Sequence, residues 1–404
     1  MTKSPSPLVG TTVERVAALT SENPYLTSQP KPRLLIVGAG MMGREHLRVS
    51  QLLGWADVQG IVDPDGGSLE WACSDWRLLT EAPLTMYRDL NEACLDETVD
   101  AIVIATPNHT HRDVLHVVAA SLKPVLLEKP MATTLADAMD IVKLARDYPA
   151  VIQLGMQYRF KAQYVDALQV VAAECALGLV KTVAMSEYRP PFLDKVDQWN
   201  KFNRNSGGTL VEKCCHYFDL INVFAQSRPR RVYASGGRAV NFLDFEWQGE
   251  QSDIDDHAMV IIDYDNGVRA SFTLNMFCRE LYEELVVVGE HGRLVASEQA
   301  SFQPDTPSTA QLLVEVPEHP AYRGVPVGYP DWIEASGHYG ATFFEHIAFN
   351  LQLAGQTVDA ATPEQALWSL IVASAAQHSM QAGREVDVGA FCEANGIGDF
   401  YEGR

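Results

Sequence analysis

Four short groups of residues have types and spacings that can do chemistry. The first is Gly38-Ala39-Gly40-Met41-Met42-Gly43, which ends an apolar run, opens a helical period and is followed about 20 residues later by Asp63. Gly38 permits a tight turn, Gly40 lets backbone approach a pyrophosphate, and Gly43 allows close helix–strand packing. The helix N-terminus then faces the phosphates. Asp63 ends the next strand, where a carboxylate bonds ribose hydroxyls and repels a 2′-phosphate. The expected cofactor is therefore NAD, with NADP left open. Asp63 is also an ordinary turn residue before Pro64.

The second group, Thr106-Pro107-Asn108-His109-Thr110-His111, stands at the carboxyl end of an expected parallel strand, where open α/β sheets bind ligands. Thr106, Pro107, Asn108 and His111 are candidate cofactor contacts, although Asn108 and Thr110 also suit simple helix capping. The third, Glu128-Lys129-Pro130, ends the next strand. Lys129 can donate a hydrogen bond to a substrate oxygen and stabilise a developing alkoxide, with Glu128 holding it in place. The plain alternative is an exposed ion pair before a proline turn. The fourth is Gly207-Gly208-Thr209-Leu210-Val211-Glu212-Lys213-Cys214-Cys215-His216-Tyr217-Phe218-Asp219. On a helix, Glu212 and His216 share a face, so the carboxylate can orient an imidazole that accepts a proton. An incidental helical histidine fits the spacing equally well. A metal centre is not expected, because Cys214 and Cys215 point to different faces and no second ligand cluster is evident.

These groups need a framework. Apolar runs at Leu34–Gly38, Asp57–Asp63, Asp100–Thr106, Lys123–Pro130 and Val151–Tyr158 alternate with helical periods at Gly43–Gly54, Arg112–Leu122 and Thr134–Tyr148, the last opened by Thr134 and Asp137 as a capping box. That alternation predicts an α/β Rossmann domain, a doubly wound parallel sheet, over residues 32–157. After Arg159 a helix at Tyr164–Ala176 leads into strand-period segments with turn signals at Asp265-Asn266-Gly267 and Glu290-His291-Gly292. Residues 158–404 are thus expected to form an α+β substrate domain with a mostly antiparallel sheet. Pro-rich residues 299–335 read as loop, and two helices close the chain. Residues 1–31 read as an extended arm in which VERVAAL can form a short helix.

A net charge of -21 argues against a grip on nucleic acid or an anionic membrane. Seven scattered cysteines without CxxC spacing read as reduced thiols in a cytoplasmic protein, and neither a signal peptide nor a membrane span is visible.

Taken in order, the Gly-rich turn, TPNHTH, Glu128-Lys129-Pro130 and GGTLVEKCCHYFDL resemble the Gfo/Idh/MocA family (glucose–fructose oxidoreductase, inositol dehydrogenase and relatives) across roughly residues 33–390. The resemblance implies an N-terminal Rossmann domain and a C-terminal α/β domain with a large open sheet. It also implies a homodimer or homotetramer through that sheet. It implies a secondary alcohol or ketone of a sugar, cyclitol or polyol as the reacting group. Lys129 matches the lysine that contacts the reacting hydroxyl, His216 the usual proton acceptor, and Glu212 a position often aspartate. Cys214 stands where a glycine is common, and Lys213 is added. A redox-neutral glycosidase or epimerase using transient oxidation, and a cofactor-binding sensor, are further functions within the same resemblance. Arg159, Tyr188, Trp199 and Asn203 are expected pocket residues by position. The acidic segment Phe242–His257 is expected to border the site or a second subunit.

Overall fold

The protein was analysed as a computed structural model that describes residues 31–301, 308–317 and 325–403. Residues 1–30 of the arm, with its expected helix, lie outside the described residues.

The first layer is a six-stranded parallel sheet. Its strands are β1 (Arg33–Val37), β2 (Asp57–Val62), β3 (Thr85–Tyr87), β4 (Ala101–Ile104), β5 (Val125–Glu128) and β6 (Ile152–Gly155), in the spatial order β3-β2-β1-β4-β5-β6. Leu34, Leu35, Ile36 and all of β4 and β5 are buried, as strands covered on both faces must be. Helices α1 (Met41–Leu53), α2 (Gly66–Leu79), α3 (Leu90–Leu95), α4 (His111–Ala119) and α5 (Leu135–Asp147) connect them. Gly54 stops α1 in the left-handed region. The Thr134 side chain caps α5 by accepting from the Asp137 amide. Between β2 and β4 hydrophobic periodicity is weak, yet α2, β3 and α3 form there. Asp65 and Asp89 start the two helices by accepting from the amides of Ser68 and Glu92.

The second layer is a nine-stranded sheet built on β7 (Val180–Tyr188), β8 (Pro229–Gly237), β9 (His257–Tyr264), β10 (Arg269–Asn275), β11 (Leu281–Gly289), β12 (Arg293–Ala300), β13 (Thr309–Glu315), β14 (Val325–Val327) and β15 (Val386–Asp387). The order is β14-β13-β12-β11-β7-β10-β9-β8-β15, antiparallel except where β7 meets β10. The expectation of a loop over 299–335 is corrected by β13 and β14. Leu312 and Val314 alternate inward along TAQLLVE, and β13 pairs with β12. Along β9 to β12 buried residues alternate with half-buried or exposed ones, so among the described residues one face of the sheet is fully covered and the other is not.

Further helices lie between or against the two layers. α6 (Ala162–Leu168) follows β6 and continues through a π turn at Gln169–Ala173. α7 (Thr209–Glu212) and α8 (Cys215–Ala225) are separated at Lys213–Cys214, so the single helix expected from Gly207 is two. Near the end of the chain, α9 (Ala341–Leu353) packs back on α1 of the first domain, and α10 (Pro363–Ala382) lies between α5, α8 and β8. Pro363 begins α10 behind a capping box of Thr362 and Gln365, and Gly383 ends it. The chain thus crosses between layers more than once, and Val49 of α1 shares a core cluster with Phe160, Phe344 and Ile347.

Candidate active site

The Gly-rich turn is built as its residue types require. Gly38 has φ 101° and an added Cβ would meet Ala105 O at 2.5 Å, while one on Gly43 would meet Gly38 O at 1.8 Å. Gly40 differs: an added Cβ would meet nothing within 4 Å. Gly43 therefore serves packing, and Gly40 leaves space for something outside the chain. No side chain caps the N-terminus of α1 and no acidic residue stands in its first turn. Met41 is exposed beside it and Met42 half-buried. Asp63 Oδ2 accepts the Ala39 amide at 2.8 Å, which ties β2 to the turn, and Oδ1 accepts the Asp65 amide at 2.8 Å. Each oxygen keeps a second lone pair, and the residue is only half-buried. An open Gly40, an uncapped helix start and an adjacent carboxylate fit a dinucleotide.

Two loops at the carboxyl ends of β4 and β5 lie beside this turn. His111 is fully buried, with Nδ1 at 2.8 Å from Pro130 O and Nε2 at 2.9 Å from Thr106 O. It ties the two loops together and does not face a ligand, contrary to the expectation for it. Thr110 Oγ1 bonds to Thr106 Oγ1 and Pro107 O. Glu128 also faces inward. Its Oε1 is 3.0 Å from His46 Nε2, and its Oε2 accepts the Lys129 amide at 3.0 Å. Burial works against the Glu128 charge, but His46 and Lys129 outweigh it and hold its carboxyl below the usual range. Glu128 therefore secures the backbone of Lys129 rather than its ammonium. Among the described residues, His46, Glu128 and Glu345 do bring potential ligand atoms within 4.8 Å of one another. Burial pushes the Glu345 carboxyl well up, so a proton relieves the charge of that cluster.

The reacting centre lies where the domains meet. Lys129 Nζ donates to Glu212 O at 3.2 Å. The Asn108 amide donates to Glu212 Oε2, and Lys195 Nζ stands 3.3 Å from Glu212 Oε1. Burial opposes the charge of Lys129, but the Glu212 carboxylate outweighs it and keeps the ammonium above its ordinary value. Glu212 is held low in the same way, by Lys195 and Lys129 against burial. His216 stacks on Tyr158 with ring centres 4.0 Å apart. Its Nδ1 is buried and has no hydrogen-bond partner among the described residues. Burial, then Lys129 and Lys213, pull it well below its ordinary value, so the ring is neutral at neutral pH.

Several expected roles are corrected. Glu212 does not orient His216: its oxygens are taken by Asn108 and Lys195, and the helix breaks between the two residues. Arg159 does not face substrate. It is buried, bonds Asp219 through Nε and Nη2 at 2.6 Å each, and reaches Gln365 at 2.9 Å. Tyr188 is on the wrong face of β7: Val183, Met185 and Glu187 point inward, and Tyr188 points out beside Tyr282. Asn203 is spent on Asp253. Trp199 does border the centre, under Lys195 Nζ at 4.6 Å and edge-on to His109. The acidic segment 242–257 packs beside it, with Phe242 and Phe245 against Lys201 and Glu250 against Arg204.

Residues with no motif of their own complete the site. Lys213 Nζ donates to Tyr158 OH at 2.7 Å and lies 3.2 Å from Glu187 Oε1, which Arg189 Nη1 shares at 3.5 Å. The only signal in the sequence for this group was Lys213 itself, an added charge inside an apolar helix.

Comparison with known proteins agrees with this geometry. Residues 33–156 match the model of an oxidoreductase family's NAD-binding Rossmann fold, and residues 173–388 match the same family's C-terminal alpha/beta domain. The chain belongs to the Gfo/Idh/MocA oxidoreductase family. Its first domain is that family's NAD-binding Rossmann domain. It is 27% identical to the uncharacterized oxidoreductase YrbE of Bacillus subtilis over 58% of this chain and 64% of that one. It is 35% identical to an inositol 2-dehydrogenase of Leifsonia xyli over 34% of this chain and 40% of the relative. The chain thus spans between 40% and 64% of the length of these curated relatives. The solved structure of GenD2 from gentamicin A biosynthesis, in complex with NAD, shares the fold with TM-score 0.69 and 22% identity over 89% of this chain and 97% of that one. Among the described residues no helix is long and apolar enough to cross a membrane.

Proposed function

We propose that this protein oxidises a secondary alcohol of a sugar, cyclitol or related polyol with NAD, or runs the reverse reduction. The observation that carries this reading is the meeting of Lys129 from the Rossmann domain with Glu212 and a neutral His216 from the second domain. The nicotinamide, when bound, supplies the hydride acceptor. Gly38, Gly40 and the start of α1 hold the pyrophosphate, and Asp63 takes the ribose hydroxyls, which favours NAD over NADP. His216 accepts the hydroxyl proton, which only a neutral ring can do. The Lys129 ammonium donates to the developing alkoxide, and Glu212 keeps that ammonium charged in a buried setting. The curated relative named inositol 2-dehydrogenase supports a polyol as the substrate class.

The test is Lys129→Ala, assayed by NADH formation against a panel of inositols, aldoses and nucleotide sugars. NADH binding should persist and turnover should fall on the order of 10²–10⁴-fold. Near-normal turnover in the variant would sink the mechanism, and substrate consumption without net NADH would indicate a redox-neutral course. Tyr233, Met259 and Ile261 form an exposed apolar strip on the outer face of β8 and β9. We infer self-association through that face, and light scattering reads it directly.

A further inference from the structure

The cations of the site share their counter-ions unevenly. Lys129, Lys195, Lys213 and Arg189 gather where the domains meet, with Glu187 and Glu212 in direct contact and Glu128 and Glu283 acting on Lys129 and on Lys213 from further away. The Glu212 carboxylate pairs with Lys195 alone, and Lys129 donates to the Glu212 backbone carbonyl. Lys213 and Arg189 use the same oxygen, Glu187 Oε1, at 3.2 and 3.5 Å. Behind them Lys161 lies between Glu283 and Glu298 and leans on the Tyr158 ring at 4.4 Å. Burial pushes the Glu298 carboxyl up towards its neutral form. That inner layer lends Glu283 to Lys213, but Glu283 is already in contact with Lys161 and Tyr217. The Arg159–Asp219 pair is closed on itself.

Two largely buried cations on one carboxylate oxygen are unfavourable unless a further anion joins them. Burial, which Glu187 only partly offsets, pulls Lys213 below its ordinary value. Lys213 and Arg189 still keep 12% and 13% of their side-chain surface, so a bound molecule can reach them. Lys129 is committed to the reacting hydroxyl in the reading above, and Lys195 is seated on Trp199. The unmet demand falls on Lys213 and Arg189. Lys213 Nζ lies 4.8 Å from the centre of the Tyr158 ring on which His216 stacks, and Arg189 adjoins Lys213 through Glu187.

We propose that the substrate is an acidic sugar or polyol, and that Lys213 and Arg189 form a subsite for its carboxylate. The arginine fork and the lysine ammonium would then share two anions, Glu187 and the substrate, in place of one. This deepens the polyol dehydrogenase reading and rests on it for the position of the reacting hydroxyl.

The experiment measures binding by calorimetry to the full chain saturated with NADH, a complex in which no oxidation can occur. The probes are matched pairs: D-glucuronate with D-glucose, and D-galacturonate with D-galactose, with glucose 6-phosphate to separate a carboxylate from a phosphate preference. At least one acid should bind on the order of 100-fold more tightly than its neutral partner. Lys213→Gln should remove most of that preference, and Lys213→Arg should restore it. With NAD, Lys213→Gln should raise KM for the acid far more than it lowers kcat. Equal binding within a pair, no binding of any acid, or a preference for the phosphate alone would overturn the carboxylate subsite. Tight acid binding without any NADH formation would instead leave the subsite standing and count against the dehydrogenase reading.

Discussion

Arg159 separates two ways of reading a buried charge. The residue type and its place just after β6 suggest a substrate contact, whereas the structure makes it a strut. Its guanidinium meets Asp219 in a fork of two bonds at 2.6 Å, with the side chains 6% and 2% exposed, and reaches Gln365 in the capping box that begins α10. Arg159→Met keeps length and apolar bulk but leaves the Asp219 carboxylate buried without a counter-ion. Breaking such a pair from one side costs about 3–5 kcal/mol. At roughly 2 °C per kcal/mol for a chain of this size, the melting temperature should fall on the order of 6–10 °C. The double variant Arg159→Met/Asp219→Leu removes both charges and should recover most of that loss. Calorimetry or circular dichroism melts of the three proteins, with NADH titrations at a temperature where all are folded, make the comparison. NADH affinity should be unchanged throughout. A melting temperature within about 1 °C of the parent, together with a raised KM for the alcohol, would refute the strut and return Arg159 to the substrate pocket.

The two glycines should part company. Gly40→Ala meets no atom within 4 Å and should fold normally but bind NADH at least about tenfold more weakly, whereas Gly43→Ala meets Gly38 O at 1.8 Å and should lower the melting temperature itself. If Gly40→Ala binds NADH like the parent, the pyrophosphate does not sit on that turn. Glu45 sets an acid limit: burial works against its charge, but His338 and Thr342 outweigh it and hold its pKa down to about 2. Because the folded value lies below the unfolded one, its contribution is complete above about pH 4.5 and is lost as pH falls towards 2, with a size on the order of 3 kcal/mol. Glu45→Gln should therefore flatten the stability profile in that window, and parallel curves for the two proteins would contradict the assignment. For turnover, burial and the charges of Lys129 and Lys213 keep His216 neutral. Removing one cation in Lys213→Gln should move the acid limb of kcat/KM to higher pH, and a shift the other way would show that another group titrates there.

Much of the first domain was readable from residue order alone, because its signals are local. A strand buried on both faces is a run such as Leu34–Val37, and a glycine turn, a capping threonine and a left-handed Gly54 act within a few residues of themselves. Lys129 and His216 were likewise visible as residue types at informative places. Roles that depend on distant partners were not. Residue order could not show that Asn108 and Lys195 occupy Glu212, that Arg159 is closed by Asp219, or that His111 ties two loops together. The face of Tyr188 depends on the register of β7 against β10 and β11, which sets Glu187 inward instead. The return of α9 onto α1 brings together residues roughly 300 positions apart, such as His46 and His346. The net charge of -21 is a property of composition, but the sharing of one Glu187 oxygen by Lys213 and Arg189 is not. Coulomb interactions and desolvation act over a few ångströms, so only the tertiary fold could decide the charge that a substrate meets.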